Sequence, residues 1–297
     1  MRGAENTPVI SIIIPYYSDF ANLKRCLTCL AEQTIPKSQF EVIVADNSPG
    51  SGIEDVRRAC GDFARIVPAP FPGAGPARNA AVEVSQGSLL AFVDQDCQPE
   101  PKWLELGLKA LSECEIVGGK VDIFYQDPFF PTAVESFERV FAFNVKRYIE
   151  EQGYAVTANM LVPREVFDHV GGFRRELPED RDWGERAVAA GYRWSYRPDV
   201  VVRHPARRTW AELKQKWRRS TRAEFAIMIK EPDGRARWLL RSVLVLGSPF
   251  VHWIKVVRSS ELKTVEQRLG AIRILFRIRL WRFAEAIRLL RSENEAR

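Results

Sequence analysis

The sequence predicts an α/β fold, a mostly parallel, Rossmann-like sheet flanked by helices and followed by a helical, amphipathic C-terminal extension. Three observations carry this. Short apolar runs of the kind that form buried parallel strands alternate with helix-period segments over residues 9–94. A polar cluster closes three of those runs. Beyond residue 205 the chain becomes rich in arginine at helical spacing.

Taken in order, residues 9–14 form a continuous apolar run stopped by Pro15, and 22–33 have helical periodicity. Residues 41–46 are a second strand ending in the turn cluster Asn47-Ser48-Pro49-Gly50. A short helix over 53–60 and a third strand over 65–68 follow. Residues 76–85 suit a helix with Pro in its first turn, and 88–94 a fourth strand. This alternation implies a parallel sheet wrapped by helices, whose ligands bind at the carboxyl ends of the strands. Right-handed crossovers put Pro15-Tyr16-Tyr17, Asp46-Asn47-Ser48 and Asp94-Gln95-Asp96 on one edge. Further on, helices are expected within 99–114 and over 137–150, 164–170 and 184–190. Strands are expected at 116–121 and 194–202, with a short strand or turn at 158–163 and a tight turn at Gly171-Gly172-Phe173.

The 297 residues allow one elaborated α/β domain or two small ones. The net charge of +6 conceals a polarity: residues 1–202 carry −8 and residues 203–297 carry +14. A basic end of that strength suits an anionic partner, nucleic acid or anionic lipid, and no nucleic-acid-binding motif is present. Five irregularly spaced cysteines do not make a disulfide framework, and Cys26-x-x-Cys29 on an amphipathic helix reads as two buried thiols. No apolar stretch follows the first residues, so no signal peptide is expected and a reducing cytosol is the expected compartment.

Six segments in order then resemble the family-2 glycosyltransferases of the GT-A fold: Ser11-Ile12-Ile13-Ile14-Pro15-Tyr16-Tyr17, Val42-Ile43-Val44-Ala45-Asp46-Asn47-Ser48, Gly75-Pro76-Ala77-Arg78-Asn79, Ala91-Phe92-Val93-Asp94-Gln95-Asp96, Gly171-Gly172-Phe173, and Glu179-Asp180-Arg181-Asp182 with Arg186 and Gly191-Tyr192. The resemblance covers roughly residues 8–204. It implies a catalytic domain over 1–205, with a donor half at 8–98 and an acceptor half at 99–205, and a separate basic helical region at 206–297.

The chemistry of these residues fits that resemblance. Two carboxylates flanking one residue past a strand can share a divalent cation with a donor diphosphate, although a lone D-x-D also serves as a solvated turn. The resemblance gives Asp94 to ribose or metal, Asp96 to Mn2+ or Mg2+, and His204 as a further metal ligand, against a plain packing histidine. Asp46 would accept a hydrogen bond from the base, uracil by resemblance, or simply form the turn. Tyr16 and Tyr17 offer a wall for the base, one of them being packing, with Pro15 and Gln95 beside them. Arg78 would reach base or diphosphate. Gly119 and Asn159 would line the donor-sugar pocket by resemblance. Crowding of Glu179 and Asp180 raises a carboxyl pKa and suits a general base, Asp180 by resemblance, with Glu179 orienting it, against carboxylates that merely favour a helix N-terminus. Asp182 and Arg186, at i and i+4, read as a structural pair.

Residues 236–256 are apolar but interrupted by Arg241, Gly247 and Pro249, too broken for one membrane-crossing helix. Residues 270–291 alternate apolar residues with arginines, and Ile274, Leu275, Ile278, Trp281 and Ile287 suggest an apolar face lying in a membrane interface, or a cap on the catalytic domain. The expectation is an inverting, metal-dependent transferase using a nucleotide-sugar, UDP-linked. Its acceptor would be a lipid-linked glycan in cell-envelope or exopolysaccharide synthesis. It would associate peripherally with anionic membrane at the cytoplasmic inner face. Lys216-Trp217-Arg218-Arg219 departs from the Q-x-x-R-W of processive members. A nucleotidyltransferase on a similar sheet and a non-catalytic membrane-associated scaffold are the alternatives.

Overall fold

The computed structural model describes residues 8–48, 53–175 and 178–295. The expected strands appear as β1 (Ile10–Tyr16), β2 (Phe40–Asp46), β3 (Arg65–Pro68) and β4 (Leu89–Phe92). The crossover helices are α1 (Phe20–Ala31), α2 (Ile53–Cys60) and α3 (Ala74–Val84). The remaining strands are β5 (Gln98–Pro99), β6 (Ile116–Phe124), β7 (Met160–Pro163) and β8 (Trp194–Pro205). All eight form one sheet in the order β3-β2-β1-β4-β7-β6-β8-β5. The four strands β3-β2-β1-β4 pair in parallel, whereas β4 with β7, β6 with β7 and β5 with β8 are antiparallel, so the parallel half is the one that the apolar runs announced.

Helices α4 (Trp103–Leu111), α5 (Ala133–Phe141), α6 (Val145–Gln152), α7 (Arg164–Val170) and α8 (Glu179–Ala189) follow, then α9 (Trp210–Met228), α10 (Gly234–Gly247), α11 (Pro249–Val257) and α12 (Val265–Glu295). The single helix expected over 137–150 is two, because Asn144 caps a fresh start: its Oδ1 accepts from Arg147 N at 3.3 Å. Helix α8 begins five residues before the expected 184, with Glu179, Asp180 and Asp182 in its first turn.

The chain divides into two compact units, one of residues 1–122 and 144–204, the other of 123–143 and 205–297. In the first, Ile13, Ile43, Phe92, Met160 and Val162 of the sheet pack on Ala77 and Ala81 of α3, Phe167 of α7 and Trp183 of α8. Cys26 is buried on α1 and Cys29 half-buried, and all five cysteines are free thiols.

In the second unit, Val134 and Phe137 of α5, Leu213 of α9 and Val256 of α11 enclose Ala271, Ile274, Leu275 and Ile278 of α12. Of the apolar face expected over residues 270–291, Ile274, Leu275 and Ile278 belong to this core and Trp281 packs against it, which is the packed alternative for that stretch.

Asn159 and Gly119, expected by resemblance at the donor sugar, are both packed inside the first unit. Asn159 is fully buried, and its side chain is spent on structure: Nδ2 donates to Lys120 O and Val200 O, each at 2.9 Å, and Oδ1 accepts from Trp103 Nε1 at 2.9 Å. It thereby joins β6, β8 and α4 where β7 begins. Gly119 lies against it, and a Cβ there would come within 2.3 Å of both Asn159 Nδ2 and Val200 O. Close packing requires the glycine. Asn159→Ala leaves an indole N–H and two carbonyls unpaired in the core, so we expect a loss of about 3 kcal/mol or more of unfolding free energy in urea.

Candidate active site

Parallel register brings the strand ends together. Tyr16 pairs with Asp46 and Ile13 with Phe92, so the segments after β1, β2 and β4 leave the sheet on one edge. The strand order reverses between β1 and β4, and such a switch point opens a ligand crevice. Gln95 closes that gap: its Oε1 accepts from Tyr17 N at 2.6 Å and its Nε2 donates to Tyr17 O at 3.2 Å. Ser18 beside it sits at φ 47°, a left-handed conformation held by donation of its N–H to Ser48 Oγ at 2.8 Å. Tyr16 is buried packing, while Tyr17 is 59% exposed and presents its ring outward. Pro15 is half-buried beneath it.

Asp46 is buried and accepts from Ser48 N at 2.9 Å. Asn47 organises the neighbouring loop: its Nδ2 donates to Ala69 O and Phe71 O, and its Oδ1 accepts from Gly73 N at 2.9 Å. Gly73 has φ 115°, which favours glycine at this start of α3.

Arg78 follows one turn into α3. It is only 2% exposed, and its guanidinium donates to Asp94 Oδ1 at 2.5 Å and to Glu179 Oε1 at 3.2 Å. It therefore gathers the carboxylates instead of extending into solvent. Asp180 completes the group: its Oδ1 accepts from Thr157 Oγ1 at 2.7 Å and from Thr157 N at 3.2 Å. Burial and the Glu179 carboxylate push the Asp180 carboxyl up to about 6, against the pull of Arg78 and the Thr157 bond. Asp182 binds Arg186 at 3.0 Å, and Arg186 donates to the carbonyls of Val170, Gly171 and Gly172, so this pair shapes the turn before α8.

The antiparallel pairing of β5 with β8 carries His204 to Asp96, with 3.4 Å between Nε2 and Oδ2. His204 is 5% exposed. Among the described residues no three His, Cys, Asp or Glu side chains form a ready metal cluster. Asp94 is turned to Arg78, so a cation here would have one carboxylate and one imidazole of the protein beside it, donor types whose chemistry fits Mn2+ if phosphate oxygens were to complete the shell. Thr157 was not foreseen, and no local pattern marks it, since it meets Asp180 only across 23 residues.

The family model for glycosyl transferase family 2 matches residues 11–171. The Haloferax volcanii glycosyltransferase AglE is 35% identical over 219 residues, 71% of each chain. The chain belongs to glycosyl transferase family 2. It is a glycosyltransferase, and the nucleotidyltransferase and scaffold alternatives fall away. The validoxylamine A glucosyltransferase of Streptomyces hygroscopicus subsp. jinggangensis is 34% identical over 115 residues, 37% of this chain and 27% of that one. Among solved structures, the mannosyltransferase PcManGT of Pyrobaculum calidifontis, in complex with GDP-Man and Mn2+, superimposes with a TM-score of 0.62 at 20% identity, covering 96% of this glycosyltransferase and 87% of PcManGT. That likeness bears out the GT-A fold.

Removing the arginine that gathers three acids strands their charge. Arg78→Met is expected to cost about 3 kcal/mol of stability at pH 8. The cost should shrink toward pH 5, where Asp180 takes up a proton, and urea unfolding at the two pH values measures both.

Proposed function

We propose that this glycosyltransferase inverts configuration at the anomeric carbon of a nucleotide-sugar, with Asp180 as the general base. The observation that carries the reading is the convergence at one sheet edge of the Asp96–His204 pair with the Arg78-linked carboxylates and the Thr157-held Asp180. A carboxyl near 6 is mostly ionised at neutral pH yet basic enough to take a proton. Asp180 removes the proton from an acceptor hydroxyl as that oxygen bonds to the anomeric carbon, and the bond from that carbon to the nucleoside diphosphate breaks. Glu179 keeps Arg78 in place and thereby sets the field at Asp180. Tyr17, fixed by Gln95, offers a face for the base, with Asp46 as acceptor for a base N–H.

Asp96 and His204, beside Asp94, are the residues that would hold Mn2+ or Mg2+, and the ion would supply positive charge for the departing diphosphate. A uridine donor is the first reading, since it needs only the acceptor that Asp46 supplies. A guanosine donor is the second, favoured by the GDP-Man bound in PcManGT. The proposed acceptor is a lipid-linked glycan of envelope or exopolysaccharide synthesis, met at the cytoplasmic face of an anionic membrane.

Thermal shift with UDP, GDP and dTDP, each with and without Mn2+, tests the donor side; stabilisation that needs both nucleotide and Mn2+ is expected, and should be lost in Asp96→Ala. Asp180→Asn separates base from scaffold. We expect transfer to fall by about 100-fold or more while nucleotide binding persists. The carboxyl sits near 6 in the folded chain against an ordinary 3.8. Its contribution to stability is therefore full below about pH 4 and lost as pH rises through 6. At pH 7.5 the Asn variant should accordingly melt a few degrees higher than the parent. In the parent, kcat/KM should fall about tenfold per pH unit below pH 6. Retained transfer in Asp180→Asn would exclude this base.

A further inference from the structure

The helical unit exposes a second apolar face that its own core does not use. On α10 the residues turned inward are Gly234, Trp238 and Ser242, while Leu239, Leu240, Val243 and Leu244 are exposed. On α11, Pro249 and Val256 are buried and Phe250, Val251, Trp253, Ile254 and Val257 are exposed. Helix α12 adds Leu269, Phe276 and Leu280, and the Phe250 and Phe276 rings meet edge to face at 5.4 Å, so the α11 and α12 stripes are continuous. A surface of this extent requires an occupant.

Its charge identifies one. Residues 234–258 contain Arg235, Arg237, Arg241, Lys255 and Arg258 and no Asp or Glu. Arg241 is held by Glu224 and Arg235 lies 3.9 Å from Glu293. Arg237, Lys255 and Arg258 are exposed and have no carboxylate partner among the described residues. At 100° per residue, Arg237 falls at the edge of the α10 stripe beside Leu244, and Arg258 at the edge of the α11 stripe beside Val251. Over α10 and α11 an apolar ridge bordered by cations, with no carboxylate in residues 234–258, matches the boundary between acyl chains and anionic headgroups. No single helix among the described residues is long and apolar enough to cross a membrane, and α10 and α11 reach that measure only together, bent by 41° at Ser248.

We propose that the exposed face of α10–α11, continued by α12, seats the enzyme in the surface of an anionic phospholipid bilayer, the two helices lying in the interface without crossing it. This rests on the membrane part of the reading above and gives it a surface. It also moves that surface away from Ile274, Leu275 and Ile278, which are core.

The test is flotation of the full chain with vesicles of phosphatidylcholine alone or mixed with phosphatidylglycerol. The parent is expected to float with the mixed vesicles, and Leu240→Glu/Leu244→Glu/Val251→Glu to bind about tenfold less or weaker still. These side chains are 62%, 65% and 67% exposed, so the variant should keep its melting temperature and its nucleotide-dependent thermal shift. Arg237→Glu/Arg258→Glu should remove the preference for phosphatidylglycerol. A parent that stays at the bottom, or a triple variant that floats as well as the parent, overturns the proposal. So does a parent dimer that the triple variant converts to monomer without any lipid binding. Resistance of α10–α11 to protease from inside the vesicle is expected; cleavage there would show a crossing and overturn the in-plane seating. None of these readouts depends on transfer, so loss of the catalytic reading would leave this result standing.

Discussion

One buried guanidinium organises the candidate site. Arg78 lies between Asp94, which ends the donor half of the sheet, and Glu179, which opens α8 in the acceptor half. Without a cation here three carboxylates would crowd one low-dielectric spot, and at least one would be neutral at pH 7. With it, Asp94 and Glu179 are fixed and Asp180 is left just basic enough to accept a proton. Helix α3 is built to deliver this. Gly75, Arg78 and Asn79 fall at i, i+3 and i+4 on one face. A Cβ on Gly75 would come within 3.1 Å of Phe173 and 3.3 Å of Glu179, so glycine lets the start of α8 approach. Asn79 exchanges hydrogen bonds with the backbone of Phe173 in the turn that precedes it. One short motif thus sets a distance, a charge and a turn.

Much of this was legible because it is local or periodic. The apolar runs of β1, β2 and β4 needed only their own composition, and the polar residues after them needed only the handedness of the crossovers. The Asp182–Arg186 pair follows from helical spacing. What was not legible depends on antiparallel returns. Thr157 meets Asp180 across 23 residues with nothing in the sequence to announce it, and His204 meets Asp96 across 108, a meeting that the resemblance suggested but no periodicity reports. Asn159 shows what composition alone does not report. A polar residue expected beside a ligand is instead satisfied by two carbonyls and an indole, since a buried amide gains as much from bridging three elements as from meeting a substrate.

The metal side and the base side of the site are differently prepared. Asp180 is held in the chain as it stands, by two bonds to one threonine. Asp96 and His204 have no third His, Cys, Asp or Glu with them among the described residues, so on the proposed reading affinity for a cation would depend on what the donor brings. That division would suit a transferase whose ion is needed only while a diphosphate is present, and on the proposed reading nucleotide and metal binding would be interdependent.

The helical unit poses the same problem of assignment at a larger scale. Helix α12 carries apolar residues on two faces, one at Ala271, Ile274, Leu275 and Ile278 and the other at Leu269, Phe276 and Leu280, with arginines between them. A sequence pattern can show that such a helix has more apolar surface than one interface requires, but not which face the protein keeps for itself. The fold decides it: α5, α9 and α11 close over the first face. The second face is left outside, and it joins the outward residues of α11 through the contact between Phe250 and Phe276. The arginines of α12 therefore serve two surroundings. Arg282 is buried with its guanidinium carbon 4.0 Å from the Trp217 ring, and loss of water draws its pKa down to about 9, so it belongs to the packing of the unit. Arg273 and Arg277 stand exposed on the same helix. A basic amphipathic segment is thus two things at once, a core helix and a surface, and only the burial of each side chain separates them.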